Sequence, residues 1–417
     1  MPSVILAGGG LAGLASAAAL GSLGWGVDLF EARPFLGGRA ASYELPDGAG
    51  ERTVIDNCQH ILLKCCVNLI DFYRRLGVED RIEWHKRFYF FEPGGRVSIF
   101  EAGVLPRPLH FTESLLRASW LSWGEKVALG RALVALRWEW MRRRDLSQIT
   151  MIEWLREKRQ PPRLVDRFWR QILVSAINED LERMAAVHGF QVLRLAFLAA
   201  RDSYEMGIPA VALSDLYAED CWRRLPSVRI HTRKKVDAVR PGGVWIGGVA
   251  YQADAYIDAR PQHSFPTSPI TGIHLWFDRP VTSLPHGTLL DRTIQWFFNK
   301  DRGRYLQLVV SASRTLLEMP RSEVIALARR ELAEFLPEVK TAVLLKAHVV
   351  KETRATFSAT PEVEQQRPDC HTEFPNVFRA GDWTRSGWPA TMEGAVRSGY
   401  RAAEAASGQP FLLPDID

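Results

Sequence analysis

The chain has 417 residues, of which 47% are hydrophobic and 24% charged, and a formal net charge of +5. That composition supplies a large buried core and argues against a disordered chain, and the length suggests two or three domains. So small a charge excess, with no aromatic-and-basic recognition motif beside it, argues against nucleic acid as a partner. The five cysteines, Cys58, Cys65, Cys66, Cys221 and Cys370, form no C-x-x-C pair. This argues against a metal site or a disulfide framework and for a reducing, cytoplasmic compartment. No basic-then-apolar signal pattern is read ahead of the first motif, and no apolar run is long enough to be expected as a transmembrane helix.

Val4 to Ala7 is short and apolar and reads as a buried parallel strand. Gly8, Gly10 and Gly13 follow as G-x-G-x-x-G, and an alanine-rich helix continues to about Leu23. A second strand, Val27 to Phe30, ends at Glu31. In this order Gly8 makes the tight turn, Gly10 admits a pyrophosphate and Gly13 lets the helix approach the strand. The helix start, at Leu11 and Ala12, supplies N–H groups to phosphate. Glu31 stands 18 residues beyond Gly13, near the roughly 20-residue spacing of a ribose-binding acid. These features predict an α/β fold with a Rossmann-like dinucleotide site. The alternative is that the glycines serve packing alone.

Next comes "EARPFLGGRAAS", holding Ala32, Arg33, Gly37, Gly38 and Arg39. Far downstream, "NVFRAGDWTRSGWPATMEGAVRSGYRAAEAA" reads as a strand (Val377 to Ala380), a turn at Gly381 and Asp382, and a helix from Met392. Residues 228–259 supply strands at about 228–232, 235–239, 244–246 and 254–259. Together the segments resemble the flavin-dependent amine oxidase and phytoene desaturase superfamily. The resemblance implies a non-covalent FAD, since no cysteine lies inside the C-terminal motif. By carry-over, Arg33 and Arg39 meet phosphate, ribose or flavin edge, and Asp382 holds the ribityl chain. The helix start at Thr391 and Met392 faces the flavin, with Trp388 nearby. Val236 meets adenine through its backbone, the other reading being an ordinary core valine.

The implied architecture is amine-oxidase-like: a discontinuous FAD-binding domain (1–65, 206–263, 371–417) and an α+β substrate domain. The latter is mainly helical over 66–205 and mixed over 264–370. "VIDNCQHILL" taken with "AGDWTRSGWPATMEGAVRSG" further resembles the hydroxysqualene dehydroxylase family, as do "VALSDLY", "HLWFDRPV", "QWFFNK" and "ETRATFSATPEVEQQRP". Cys58 departs from the glycine expected there. Amine oxidases carry an aromatic wall where Thr391 stands.

The resemblance implies removal of an allylic hydroxyl from hydroxysqualene and delivery of hydride, giving squalene for hopanoid or sterol synthesis. Upstream synthases are implied partners, and NADPH or a separate reductase the electron donor. Proton donation falls to His60, with Asp56 orienting it or pinning a turn. The competing reading of His60 is a histidine satisfied by a backbone carbonyl. Trp276, Phe277, Trp296, Phe297 and Phe298 line strand-like runs, and alternation puts Trp296 and Phe298 on one face and Phe297 on the other. Two other readings stay open: a carotenoid-type desaturase or amine oxidase, and a non-catalytic isoprenoid-binding flavoprotein.

Residues 113–143 read as one or two helices, with Leu129, Ala132, Leu133, Leu136 and Trp140 at helical spacing. Tryptophans mixed with arginines suit either an amphipathic core helix with a solvated basic face or peripheral contact with a membrane's cytoplasmic face. Pro161 and Pro162 break the following helices, and the tail from Ser407 is expected to run over the surface.

Overall fold

The first strand forms over Ser3–Ala7 and, as its apolar run demands, is covered on both sides. A computed structural model describes residues 1–46, 52–261 and 264–416. Five parallel strands make one sheet, in the order Val228–His231, Gly26–Phe30, Ser3–Ala7, Ala255–Asp258 and Val377–Arg379. Ala7 is flanked in register by Phe30 and Asp258, so the strand ends lie level.

The first helix, Leu11–Ser22, is buried from Leu11 to Gly21. A helix apolar on every side belongs inside a core. Its neighbour is the C-terminal helix, Met392–Ser407. A Cβ on Gly399 would lie 2.2 Å from the Ala12 carbonyl, and the Ser16 hydroxyl donates to the Gly399 carbonyl at 2.9 Å.

The chain divides into two compact units. One comprises Met1–Trp84, Met206–Phe265 and Gln366–Ile416, and contains the parallel sheet. It extends past residue 65, where the sequence reading placed the first crossover. The helix Val67–Leu76 buries Leu69, Phe72, Tyr73 and Leu76 in the same core as Leu6 and Leu14. Of the boundary read at 263–264, residue 263 lies outside those described.

The strand read at 235–239 starts only at Ala238, because the chain before it is tied to the main sheet, Lys234 N–H donating to the Glu31 carbonyl. An unread strand, Val249–Tyr251, follows a turn in which Gly247 and Gly248 take positive φ. The tail runs over the surface, as expected, and is held there by hydrogen bonds. Glu404 accepts from Phe411 and Leu412 N–H, Asn68 accepts from Leu413 N–H, and Asp415 accepts from Trp388 and Arg397.

The second unit is built on a seven-stranded sheet. Its order is Leu344–Phe357, Thr267–Phe277, Tyr305–Ser311, Trp296–Asp301, His286–Leu289, Phe88–Phe91 and Val97–Phe100. One face packs Ile273, Leu275, Phe297, Leu306 and Leu308 against Val324, Ala328, Leu332 and Phe335 of the helix Arg321–Phe335. The alternation read for Trp296 to Phe298 is present: Phe297 enters this core, while Trp296 and Phe298 stack at 6.0 Å on the opposite face.

In the same unit, residues 113–143 form two helices, Thr112–Arg117 and Trp123–Trp140. The longer starts in a capping box, Ser122 and Glu125 each accepting from the other's backbone N–H. Pro162 opens a new helical turn after the break at Pro161, as expected.

Candidate cofactor site

Ligands in open parallel sheets bind beyond the carboxyl ends of the strands. Here Gly8, Glu31, Val236, Arg260 and Gly381 all lie just past those ends. Gly8 takes φ +113°, and a Cβ there would lie 2.8 Å from the Ala259 carbonyl oxygen. A Cβ on Gly13 would lie 2.0 Å from the Gly8 carbonyl oxygen, so strand, turn and helix fit only without side chains. Gly10 differs: a Cβ there would meet nothing within 4 Å. Its glycine leaves open the space a pyrophosphate requires. The helix behind it has no side-chain cap and no acid in its first turn, so the Leu11 and Ala12 end keeps its positive potential for an anion.

The second segment closes over the first. Gly37 N–H donates to the Gly9 carbonyl at 2.9 Å, and a Cβ on Gly38 would lie 3.1 Å from Gly10 Cα. Glu31 accepts from Gly9 N–H and from Arg33 N–H, each at 2.7 Å. This fixes the carboxylate over the loop that also contains Ala32. Arg33 reaches the Gly38 carbonyl at 3.4 Å.

Arg39 meets Asp382 at 2.6 Å, bringing together two residues 343 positions apart. Gly381 N–H donates to Ser398 of the C-terminal helix. That helix starts at Met392, and Thr391 caps it by accepting from Gly394 N–H at 3.0 Å. Val236 is buried beside Ile5, Ala7 and Phe30, and its carbonyl accepts from Arg260. The chemistry of this set fits FAD. Gly8, Gly10, Leu11, Ala12 and Gly13 suit the pyrophosphate, Glu31 the ribose, and Arg39 and Asp382 the flavin side.

His60 belongs to the same unit and connects to the site through its neighbours. Its Nδ1 lies 2.9 Å from the Cys58 carbonyl, Cys58 N–H donates to Asn57 Oδ1, and Asn57 Nδ2 donates to the Arg39 carbonyl. A ring nitrogen facing a carbonyl carries the hydrogen, so any proton that His60 exchanges leaves through Nε2. Asp56 is buried and accepts from the Ser42 hydroxyl at 2.7 Å and from Leu213 N–H at 3.0 Å. These bonds tie Asp56 to the segments at Ser42 and Leu213. Gln59 donates to the His60 carbonyl.

Sequence reasoning passed over two residues that shape the site. Arg367 is fully buried, and its guanidinium donates to the carbonyls of Asp382, Thr384 and Trp388 and to Ser386. It holds the loop that presents Asp382. Glu393, also buried, accepts from Asn68 and Leu69 N–H at the start of the helix Val67–Leu76. Burial raises its carboxyl to about 7 despite those donors. Arg367 lies inside a motif visible in the chain, but its partners are loop carbonyls, which no residue pattern announces.

A parallel sheet with this glycine cradle and a returning C-terminal helix defines an FAD-dependent oxidoreductase. The chain belongs to the flavin-containing amine oxidoreductase family, whose model matches residues 11–407. It is 27% identical to 15-cis-phytoene desaturase of Synechococcus elongatus over 96% of this chain and 95% of that one. It is also 27% identical to hydroxysqualene dehydroxylase of Sinorhizobium fredii over 97% of this chain and 98% of that one. Among solved structures, an oxidoreductase from Methanosarcina mazei superposes with a TM-score of 0.70 at 17% identity, covering 96% of this chain and 99% of that one. A putrescine oxidase bound to putrescine gives 0.69 at 16% identity, covering 98% and 99%.

Proposed function

We propose that the protein reduces hydroxysqualene to squalene. The carbon–oxygen bond of the allylic alcohol breaks, water leaves with one added proton, and a hydride takes the hydroxyl's place. FAD, once reduced, supplies that hydride. The observation that carries the reading is the end-to-end match to a hydroxysqualene dehydroxylase. Thr391 supports it, spending its hydroxyl on a helix cap where an amine oxidase keeps an aromatic wall. The phytoene desaturase, at the same 27% identity, favours a second reading, introduction of double bonds into a carotenoid precursor.

In the first reading His60 protonates the departing hydroxyl through Nε2, its Nδ1 being held by Cys58. Positioned proton donation contributes about 10²–10⁴-fold. The test is anaerobic mixing of chemically reduced enzyme with hydroxysqualene, following flavin absorbance and squalene together. Reoxidation with squalene formation is expected, slowed about 10²–10⁴-fold in His60→Ala with FAD binding retained. Desaturated phytoene from oxidised enzyme, with no squalene from reduced enzyme, would decide for the second reading. A full single-turnover rate in His60→Ala would remove His60 from the chemistry. NADPH is the proposed reductant, tested by whether it bleaches the flavin without added reductase.

The proposed substrate is an alcohol on a long hydrocarbon chain, and the proposed route to it is a lipid surface. No helix among the described residues is long and apolar enough to cross a membrane. On the helix Trp123–Trp140 the inner face buries Leu129, Ala132 and Leu136. The outer face exposes Trp123, Val127, Val134 and Trp138, continued by Met141. Arg131, Arg137, Arg142 and Arg144 are exposed alongside, and Lys126 and Arg142 lie over the Trp123 and Trp138 rings at 4.8 Å. Apolar residues interleaved with cations suit an anionic bilayer surface. Trp120 is buried and takes no part. Flotation with anionic liposomes at low salt is expected to carry the protein, and Trp123→Ser with Trp138→Ser to abolish this. Absence of flotation at low and high salt alike would refute the contact.

A further inference from the structure

Just ahead of the edge strand Val377–Arg379, the first unit gathers three atoms of metal-ligating type at one point. Asp369, Cys370 and His371 are consecutive, and successive side chains of an extended chain point apart. Here they converge. His371 Nδ1 lies 2.8 Å from Asp369 Oδ1, and Cys370 Sγ lies 3.4 Å from each of those two atoms. The His371 backbone N–H also donates to Asp369 Oδ1 at 3.1 Å, which curls the chain around the carboxylate.

The curl is held from behind by main-chain groups that leave the three side chains free to ligate. The Cys370 carbonyl accepts from Arg379 N–H at 2.7 Å, and the Pro368 carbonyl from Arg385 N–H at 2.8 Å. The His371 carbonyl accepts from the Arg379 guanidinium at 3.4 Å, and its ring meets the Phe378 ring edge-on at 6.0 Å. Cys370 is buried, whereas the Asp369 and His371 side chains are 58% and 66% exposed, so an ion reaches the cluster directly from solvent.

The spacing suits a tetrahedral centre. Bonds of about 2.3 Å to sulfur and about 2.1 Å to nitrogen and oxygen set sulfur about 3.5 Å from the other ligands and nitrogen about 3.3 Å from oxygen. One thiolate, one imidazole and one carboxylate form a donor set of intermediate softness, which favours zinc over magnesium or calcium. No other trio of such ligand atoms comes together among the described residues.

We propose that Asp369, Cys370 and His371 bind a single zinc ion, with water at the fourth position. The ion displaces the thiol proton to buffer, His371 carries its hydrogen on Nε2, and thiolate and carboxylate balance the two charges of the metal. Because Arg379 N–H grips the Cys370 carbonyl, the bound ion braces the strand that runs on into Gly381 and Asp382. Counting cysteine pairs misses such a site, since only one cysteine takes part. The site is separate from the proposed reaction and does not depend on it.

The test uses untagged, FAD-loaded protein freed of metal by chelator, with zinc alone as the probe and metal content measured after equilibrium dialysis. Wild type is expected to take up one zinc per chain at about 1 μM free metal. Cys370→Ser and His371→Ala are each expected to weaken uptake more than about a hundredfold, since even the groups behind a metal ligand contribute about 10–100-fold. Retained flavin absorbance shows that the variants fold, and Asp369→Asn, changed at an exposed side chain, repeats the comparison should the cysteine variant fold poorly. Cobalt in place of zinc reports the geometry: tetrahedral bands to the red of the flavin absorption are expected in wild type and absent in Cys370→Ser. A wild type that binds no zinc at that concentration, or uptake equal in wild type and variants, would overturn the site.

Discussion

A Gly10→Val variant is expected to fold normally and purify colourless, whereas Gly13→Ala is expected to be unstable. The two glycines lie three residues apart in one turn and serve different ends. At Gly13 an added methyl would lie 2.0 Å from the Gly8 carbonyl oxygen, an atom of the backbone that cannot swing away. The helix would have to move off the strand, costing about 1–3 kcal/mol or more. At Gly10 the backbone is extended (φ −75°, ψ 173°) and a side chain has open space. Stability of the FAD-free protein should therefore change by no more than about 0.5 kcal/mol. FAD affinity should fall about a hundredfold or more, some 3 kcal/mol, because the valine occupies the pyrophosphate's place. Thermal melts of cofactor-stripped protein and FAD titrations check both halves. Full FAD affinity in Gly10→Val would mean that the phosphates lie elsewhere.

The second large effect is acid lability rooted in the sheet of the other unit. Burial holds His274 and His286 down to about 3, helped by His348 and Lys300 near the first and His85 near the second. In the unfolded chain both take a proton near 6.5, whereas the folded chain refuses it until about 3. Below 6.5 the unfolded state binds more protons, so stability is full above that pH and drains away as pH falls. Each site contributes a slope of up to about 1.4 kcal/mol per pH unit. Replacing one of them, as in His286→Phe, should leave stability at pH 7 within about 1.5 kcal/mol and flatten the acid branch by that slope. Denaturant melts between pH 7 and 4 measure this. Coincident acid branches for wild type and variant would mean that His286 is charged in the folded state.

Some of this could be read directly from the chain. The turn Gly8 to Gly13 and the acid at Glu31 are local, so spacing alone conveys their geometry. Alternation likewise placed Phe297 opposite Trp296 and Phe298. Arg39 and Asp382 were reached through resemblance, since nothing local joins residues 343 apart. Strand register is set by long-range pairing, which periodicity does not encode. The register that aligns His286, Phe298, Gln307, His274 and His348 across the seven-stranded sheet was therefore invisible, although each of these residues was plain to see. The same holds for Arg367 and for Glu393, most of whose partners are main-chain groups brought in by other segments. The surface course of the tail was legible, but nothing in its residues announced the acceptors at Asn68 and Glu404.

The parallel sheet draws its edge strand, Val377–Arg379, and the cover of its first helix, Met392–Ser407, from the last stretch of the chain. On a ribosome adding about 5–20 residues per second, the alanine-rich first helix waits roughly 20–80 s for the segment that shields it. Until translation is nearly finished the nascent polypeptide can neither close its N-terminal layer nor grasp a nucleotide. Premature termination before Val377 should consequently leave the first unit's N-terminal layer uncovered, sticky and dependent on chaperones.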